Sequence, residues 1–185
     1  ATAIYEGSDA VMLSAESAAG SFPIEAVTTM NNVAAEVERD PTYTQIIESS
    51  RSSGRGSVAD GIVAAAREIA ETADIKAIAC FTQSGTTALL VARERPRVPI
   101  IALTSLIGTA RRLALSWGCN CMVTESVDRF KGAVVGAARA AREGGFATAD
   151  DKIVVTAGVP FNVTGSTNIL RVAPCDERLI YPTEP

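Results

Sequence analysis

The chain has 185 residues, of which 47% are hydrophobic, 21% charged and only 5% aromatic. That length makes one domain, or one domain with a small appendage, and a composition rich in alanine and valine but poor in aromatics points to helices packed on a sheet rather than an all-β sandwich. The formal net charge of −4 without a clustered basic face argues against a nucleic-acid binder, and no run of 18 apolar residues marks a membrane-spanning helix, so no membrane partner is expected.

In chain order, DAVMLS at 9–14 is a short apolar run that reads as a buried strand. Residues 21–40 read as a helix, with Ser21 as N-cap and Pro23 in the first turn. Ile24, Val27, Met30, Val33 and Val37 recur at spacings of three and four, which gives one apolar face. Pro41 ends or bends that helix, and residues 42–50 add a further helical turn or two. RSSGRGS at 51–57 is linker-like. A helix over 58–73 follows, its inner face marked by Ile62, Ala66, Ile69 and Ala70.

Strands and helices then alternate: strand 75–81, helix 85–94, strand 98–104, helix 105–115, strand 119–124, helix 126–143 and strand 151–158. A last strand lies within 165–174, and an irregular tail begins at Cys175. Continuous apolar strands between helices predict an α/β fold: a three-layer domain, its five-stranded sheet mostly parallel and covered by helices on both faces. The link into the last strand has about ten residues and no helix, too short for a parallel crossover, so that strand should run antiparallel at an edge. The run at 9–14 has no helix before it and no strand candidate for some sixty residues after it, so the chain reads as one that starts inside a larger fold.

There is no histidine. Ser-His-Asp and Cys-His catalysis within the chain are therefore excluded, and so is the usual proton shuttle near neutrality. Cys80, Cys119, Cys121 and Cys175 lack the spacing of a zinc site and read as buried or half-buried free thiols of a reducing compartment, which suits a cytoplasmic protein. Asp150 and Asp151 lack a third oxygen ligand, so no metal site is expected. Trp117 reads as helix-end packing, and Arg93, Arg95 and Arg97 as a solvated face.

The stretch IACFTQSGTTALLVAR at 78–93 is more pointed. A buried strand hands over to a helix through a turn of hydroxyls and one glycine. Helix N-terminal N–H groups favour anions, and Gly85 allows a tight turn and close approach. Thr82, Gln83, Ser84, Thr86 and Thr87 add donors around it, enough to surround a phosphate without a cation. The plain alternative is that Ser84 or Thr86 only caps the helix. AGVPFNVTGST at 157–167, with Gly158, Thr164, Gly165 and Ser166, is a second glycine- and hydroxyl-rich loop; its plain alternative is an ordinary hairpin connection.

Residues 3–29, AIYEGSDAVMLSAESAAGSFPIEAVTT, resemble pyruvate kinase at the last strand and helix of its (β/α)8 barrel. FTQSGTTA, RPRVPIIALT and VVTAGVPFNVTGSTNILRV match its C-terminal domain in the same order. The resemblance implies that residues 1–25 end the catalytic barrel and 26–185 form the C-terminal domain. It implies phosphoryl transfer from phosphoenolpyruvate to ADP by the intact enzyme, with Mg²⁺ and K⁺, in a cytoplasmic homotetramer. The catalytic Lys, the Mg²⁺ and K⁺ ligands and the Thr near the product methyl lie on earlier strands in that family, so this chain alone should be inactive. Ser14 and Glu16 fall at the nucleotide side of the family's active site; Ala15 and Ala19 depart from its pattern. In regulated members the loop matching 82–87 grips an effector phosphate, and the loop matching 157–167 closes over it. The helix over 126–143 offers Arg129 and Lys131 early but no arginine where bisphosphate-binding members place one. The resemblance thus favours a sugar monophosphate or AMP as effector over fructose 1,6-bisphosphate. Two rivals remain: a free-standing module sensing a phosphorylated metabolite, and a small enzyme using the 82–87 loop as its substrate site.

Overall fold

The computed structural model describes residues 1–50, 56–161, 163 and 166–181. They form two compact units, residues 1–54 and 55–185. Most of the linker-like stretch, residues 51–55, lies outside the described residues.

The first unit is helical: α1 (Thr2–Tyr5), α2 (Ala15–Ala18), α3 (Pro23–Arg39) and α4 (Pro41–Ser50). The strand expected over 9–14 does not form, and a helical turn, α1, stands before it. No described residue of this unit is a strand, and a lone strand would leave its ladder N–H and C=O groups without partners. Ser21 does not cap α3; Phe22 occupies that position and no side chain caps the helix. Pro23 at the first turn brings a fixed φ and lacks one of the N–H groups a cap would satisfy. α3 ends at Arg39, just before Pro41 as expected, with Asp40 extended ahead of the proline, and Pro41 then begins α4. The unit's core is small, Val37, Tyr43 and Ile47 with Ile4 and Tyr5 against them. It covers only the C-terminal part of the expected α3 face, so Ile24, Val27 and Val33 stay exposed.

The second unit opens with α5 (Val58–Thr72). Ser57 caps it by accepting the Asp60 N–H at 3.1 Å and donating to the Asp60 carboxylate at 2.7 Å. Its innermost residues are Val63, Ala66 and Ala70; Ile62 and Ile69 are only half-buried. Then follow β1 (Ala77–Phe81), α6 (Thr86–Arg93), β2 (Ile100–Thr104), α7 (Ile107–Leu113), β3 (Cys119–Val123), α8 (Phe130–Glu143), β4 (Lys152–Gly158), β5 (Thr167–Pro174) and α9 (Glu177–Ile180). The sheet has the order β3-β2-β1-β4-β5, parallel except for β5, which pairs antiparallel to β4 at the edge.

The strict alternation of strand side chains splits the core in two. Ile78, Cys80, Ile100, Ala102 and Val154 face the side of α5 and α6. Ala77, Ala79, Phe81, Ile101, Leu103, Ile153 and Val155 face α8, which meets them with Ala133, Ala137, Ala138 and Ala141. Small residues on α8 let helix and sheet approach closely. Burial pushes the thiol of Cys80 up to about 12 and that of Cys175 up to about 11, as suits inert core thiols.

The tail departs from expectation. Asp176 accepts the Arg178 N–H at 3.0 Å and starts α9, Glu177 accepts from Arg139 and Arg142, and Ile180 is buried. Lys131 and Arg171 both lie against the Tyr181 ring, 4.7 and 4.6 Å from its centre. The Asp176 cap is local, but the Glu177 pairing has no spacing the sequence could signal, since Arg139 and Glu177 lie 38 residues apart.

Candidate functional site

The chain runs β1, β2, β3 toward one edge of the sheet and then returns to place β4 on the other side of β1. The connections after β1 and β4 thus leave in opposite directions and open a crevice at the strand C-termini, where ligands of open α/β sheets bind. The 82–87 turn follows β1 and the 158–166 loop follows β4, so the two sequence candidates flank that switch point.

Gly85 stands at the N-cap of α6 with φ +96°, a left-handed conformation that suits glycine. Its N–H donates to Thr82 Oγ1 at 2.9 Å, which closes the turn. Two residues of α7 hold the turn from beneath: Thr109 Oγ1 donates to the Gln83 carbonyl at 2.8 Å and Arg112 to the Ser84 carbonyl at 2.9 Å. Because peptides are trans, pinning the Gln83 carbonyl toward α7 turns the Ser84 N–H the opposite way. Ser84 and Thr86 hydroxyls pair at 2.9 Å. The first N–H to find a helical acceptor at this end of α6 is that of Leu89, bonded to Gly85 O. The turn therefore starts α6 with Gly85 at the N-cap position and no side-chain cap hydrogen bond, its Gln83 and Ser84 carbonyls held by α7.

The second loop is built tightly at its base. A Cβ on Gly158 would sit 2.2 Å from Ser166 Oγ and 2.9 Å from the Ser166 carbonyl carbon, so only glycine fits. Asn168 grips Val159 by accepting its N–H at 3.0 Å and donating to its carbonyl at 2.6 Å. Ser166 donates to Val163 O at 2.7 Å. Thr164 and Gly165 lie outside the described residues.

Thr87 and Thr167 tie the two loops together through a buried hydroxyl pair at 2.6 Å, with side chains 6% and 3% exposed. Removing one hydroxyl orphans the other in a dry site, so Thr87→Val should destabilise the unit by about 1–3 kcal/mol. Thr87→Val with Thr167→Val should recover most of that loss. Urea titration of the two single variants and the double variant measures the coupling; strictly additive losses would contradict it.

Together these elements line an open cleft of about 70 Å³. Thr82, Gln83, Ser84, Thr86 and Thr87 line it, as do Gly158 and Ser166. Gly85 shapes the turn behind the lining. The sequence reading missed two further walls: Thr104 and Ser105 after β2, and Thr124, Glu125 and Ser126 after β3. A signal was there, since FTQS, LTS and VTES are three apolar strands each running into Thr and Ser. Thr109 and Arg112, which hold the turn, were also missed. The lining among the described residues includes no Lys or Arg, and its one charged residue is Glu125. Arg129 and Lys131 do not line the cleft; Arg129 stands at the N-cap position of α8 and Lys131 covers Tyr181. Chemically, the cleft offers hydroxyls over β1 and a carboxylate after β3, which suits binding better than acid–base turnover.

Ser14 and Glu16 belong to the first unit. The Ser14 N–H donates to the Glu16 carboxylate at 3.0 Å, and hydrogen bonds from the Glu16 and Ser14 N–H groups hold that carboxyl below its ordinary range. The pair caps α2. Asp151 is likewise a turn acceptor, taking the Thr148 N–H and hydroxyl at 2.7 and 2.8 Å.

A family model described as the pyruvate kinase alpha/beta domain matches residues 60–173. A pyruvate kinase of Methylorubrum extorquens is 46% identical over 94% of this chain and 36% of its own length. One of Agrobacterium vitis is 42% identical over 93% of this chain and 36% of its own. The solved structure of Cryptosporidium parvum pyruvate kinase in complex with ADP matches with a TM-score of 0.75 and 31% identity, over 94% of this chain and 35% of that one. The chain therefore spans about a third of the length of these relatives.

Proposed function

Because this chain belongs to the pyruvate kinase family, we propose that it serves the transfer of a phosphoryl group from phosphoenolpyruvate to ADP, and that its own part is regulation and assembly. Residues 1–25 are then the end of the catalytic barrel and 26–185 the C-terminal domain. The exposed apolar residues Phe22, Ile24 and Val27 suit a surface covered by the rest of such an enzyme. Mg²⁺ and K⁺ would serve the intact enzyme; among the described residues no three His, Cys, Asp or Glu side chains stand together as a metal site. The outer edge of β5 is the candidate for pairing between subunits of a homotetramer, since an open edge invites a partner. A cytoplasmic enzyme fits the free thiols.

In this reading the cleft holds the phosphate of a small effector, a sugar monophosphate or AMP, with Thr82, Ser84, Thr86, Thr87 and the outward N–H groups as donors. The observation that carries it is the turn at the switch point, whose carbonyls are held by α7 and whose residues Thr82, Gln83, Ser84, Thr86 and Thr87 line the cleft. Phosphate fits the start of α6 for the same reason it fits other helix N-termini. A thermal-shift series with glucose 6-phosphate, AMP and fructose 1,6-bisphosphate tests it. Saturation at about 100 times Kd stabilises the fold by about 2.7 kcal/mol, so a monophosphate should raise the Tm by several degrees. No shift with any phosphate ester at millimolar concentration would refute the reading. Tighter binding of the bisphosphate would refute the monophosphate preference alone.

A further inference from the structure

We propose that Glu125 selects the ligand of the cleft: it admits a monophosphate whose far end presents hydroxyl groups and turns away one that carries a second phosphate. This rests on the reading of the 82–87 turn as the phosphate end.

The cleft sets hydroxyls and one carboxylate among apolar side chains, Phe81, Leu103, Val127, Phe161 and Val163, and its polar groups are not evenly spread. The donor end lies over β1, where α6 begins and Thr82, Ser84, Thr86 and Thr87 stand. Thr104 and Ser105 follow over β2, and Thr124, Glu125 and Ser126 over β3. β1 and β3 are separated by β2 alone. Two strand spacings are about 10 Å, a length that a phosphate joined to a five- or six-carbon polyol can span. The Thr124 N–H donates to Thr104 O at 3.0 Å, and Thr104 Oγ1 accepts the Leu106 N–H at 3.2 Å, so the β2 and β3 ends are tied together just before Glu125. The Glu125 side chain is exposed and makes no hydrogen bond or ion pair with the described residues. It is therefore free to meet a ligand.

A carboxylate only accepts hydrogen bonds. Paired hydroxyls satisfy it, and the neighbouring Ser105 and Ser126 hydroxyls can serve such a polyol as donor or acceptor. A second phosphate in that place would set like charges side by side with no cation in the described lining between them, and like-charge juxtaposition is how sites reject a wrong partner. Glu125 acts here on specificity and leaves the phosphate end untouched.

The test uses glucose 6-phosphate and glucose 1,6-bisphosphate, which differ only in the far phosphate, with inorganic phosphate as a probe of the near end. Calorimetry on the wild-type protein should give at least about tenfold tighter binding of the monophosphate. Glu125→Gln should shrink that ratio to within about threefold and Glu125→Lys should reverse it, while inorganic phosphate binds all three proteins within about threefold. An unchanged ratio across the three proteins overturns the proposal, and so does a wild-type protein that binds phosphate but takes both esters equally; in either case the phosphate reading stands. A wild-type protein that binds none of the three probes overturns the phosphate reading and this proposal with it.

Discussion

Gly85→Val should abolish phosphate binding and lower the stability of the α/β unit by about 2–4 kcal/mol, because two costs meet at one residue. Gly85 holds φ at +96°. A non-glycine residue in such a conformation costs about 1–3 kcal/mol, and a β-branched one sits at the upper end. The space around it is also closed: a Cβ would lie 3.3 Å from Leu113 Cδ2 and 3.5 Å from Thr109 Cγ2. The extra methyls of valine would push directly on Thr109, whose hydroxyl holds the Gln83 carbonyl. Backbone strain and loss of that hold would both turn the Ser84 N–H away from the cleft. Calorimetry with inorganic phosphate should record no heat, and the Tm should fall by about 4 °C for each kcal/mol lost. Gly85→Ala, with no branch, should fall between. A valine variant that binds phosphate and melts like the wild type would show that the conformation at residue 85 does not shape the site.

What could be read in advance follows from the range over which each signal acts. The alternation of apolar strands with helices from Ile75 onward gave the five-stranded sheet, and the short link before Thr167 gave its antiparallel edge. These are local patterns with a direct geometric consequence. The run at 9–14 misled because its apolar composition says nothing of a pairing partner, and none of the described residues of its unit supplies one. The turn at 82–87 was legible because helix start, glycine and hydroxyls lie next to one another. Thr104, Ser105, Thr124 and Glu125 share that strand-to-hydroxyl pattern, but only the strand order brings the ends of β2 and β3 to the wall of the same cleft. Arg112 looks in sequence like any surface arginine of a helix end. Its contact with Ser84 O spans 28 residues and depends on how α7 settles beside the turn. The tail read as irregular for the same reason: Glu177 finds Arg139 and Arg142, and Tyr181 finds Lys131, only after α8 is in place.

Ile153→Ala should be the most damaging truncation in the unit, with a loss of about 4 kcal/mol, in the upper part of the range for such changes. Ile153 is fully buried on β4, with Ala77 beside it on β1 and Ala173 beside it on β5. It shares its cluster with Ala137, Ala138 and Ala141 of α8. The alanines that the strand register sets beside it on β1 and β5 have no side chain long enough to swing into the space it leaves. Relaxation would require α8 to move bodily toward the sheet, and α8 is also held by Val134 and by the Arg139 and Arg142 contacts to Glu177. The cavity should therefore stay open, and the cavity contribution should add nearly in full to the lost transfer energy. Ile153→Val removes one carbon and should cost only about 0.5–1.5 kcal/mol. Urea unfolding followed by the fluorescence of Trp117, the chain's single tryptophan, reads both variants. Trp117 packs against the opposite core, the one facing α5, so its signal reports the cooperative loss of the whole sheet and not a local change at residue 153. The midpoint should shift while the slope of the transition stays the same, as expected when stability changes without a change in the surface exposed. A loss below about 2 kcal/mol would mean that α8 collapses onto the sheet after all, and that the alanine seam is a sliding surface rather than a fixed one.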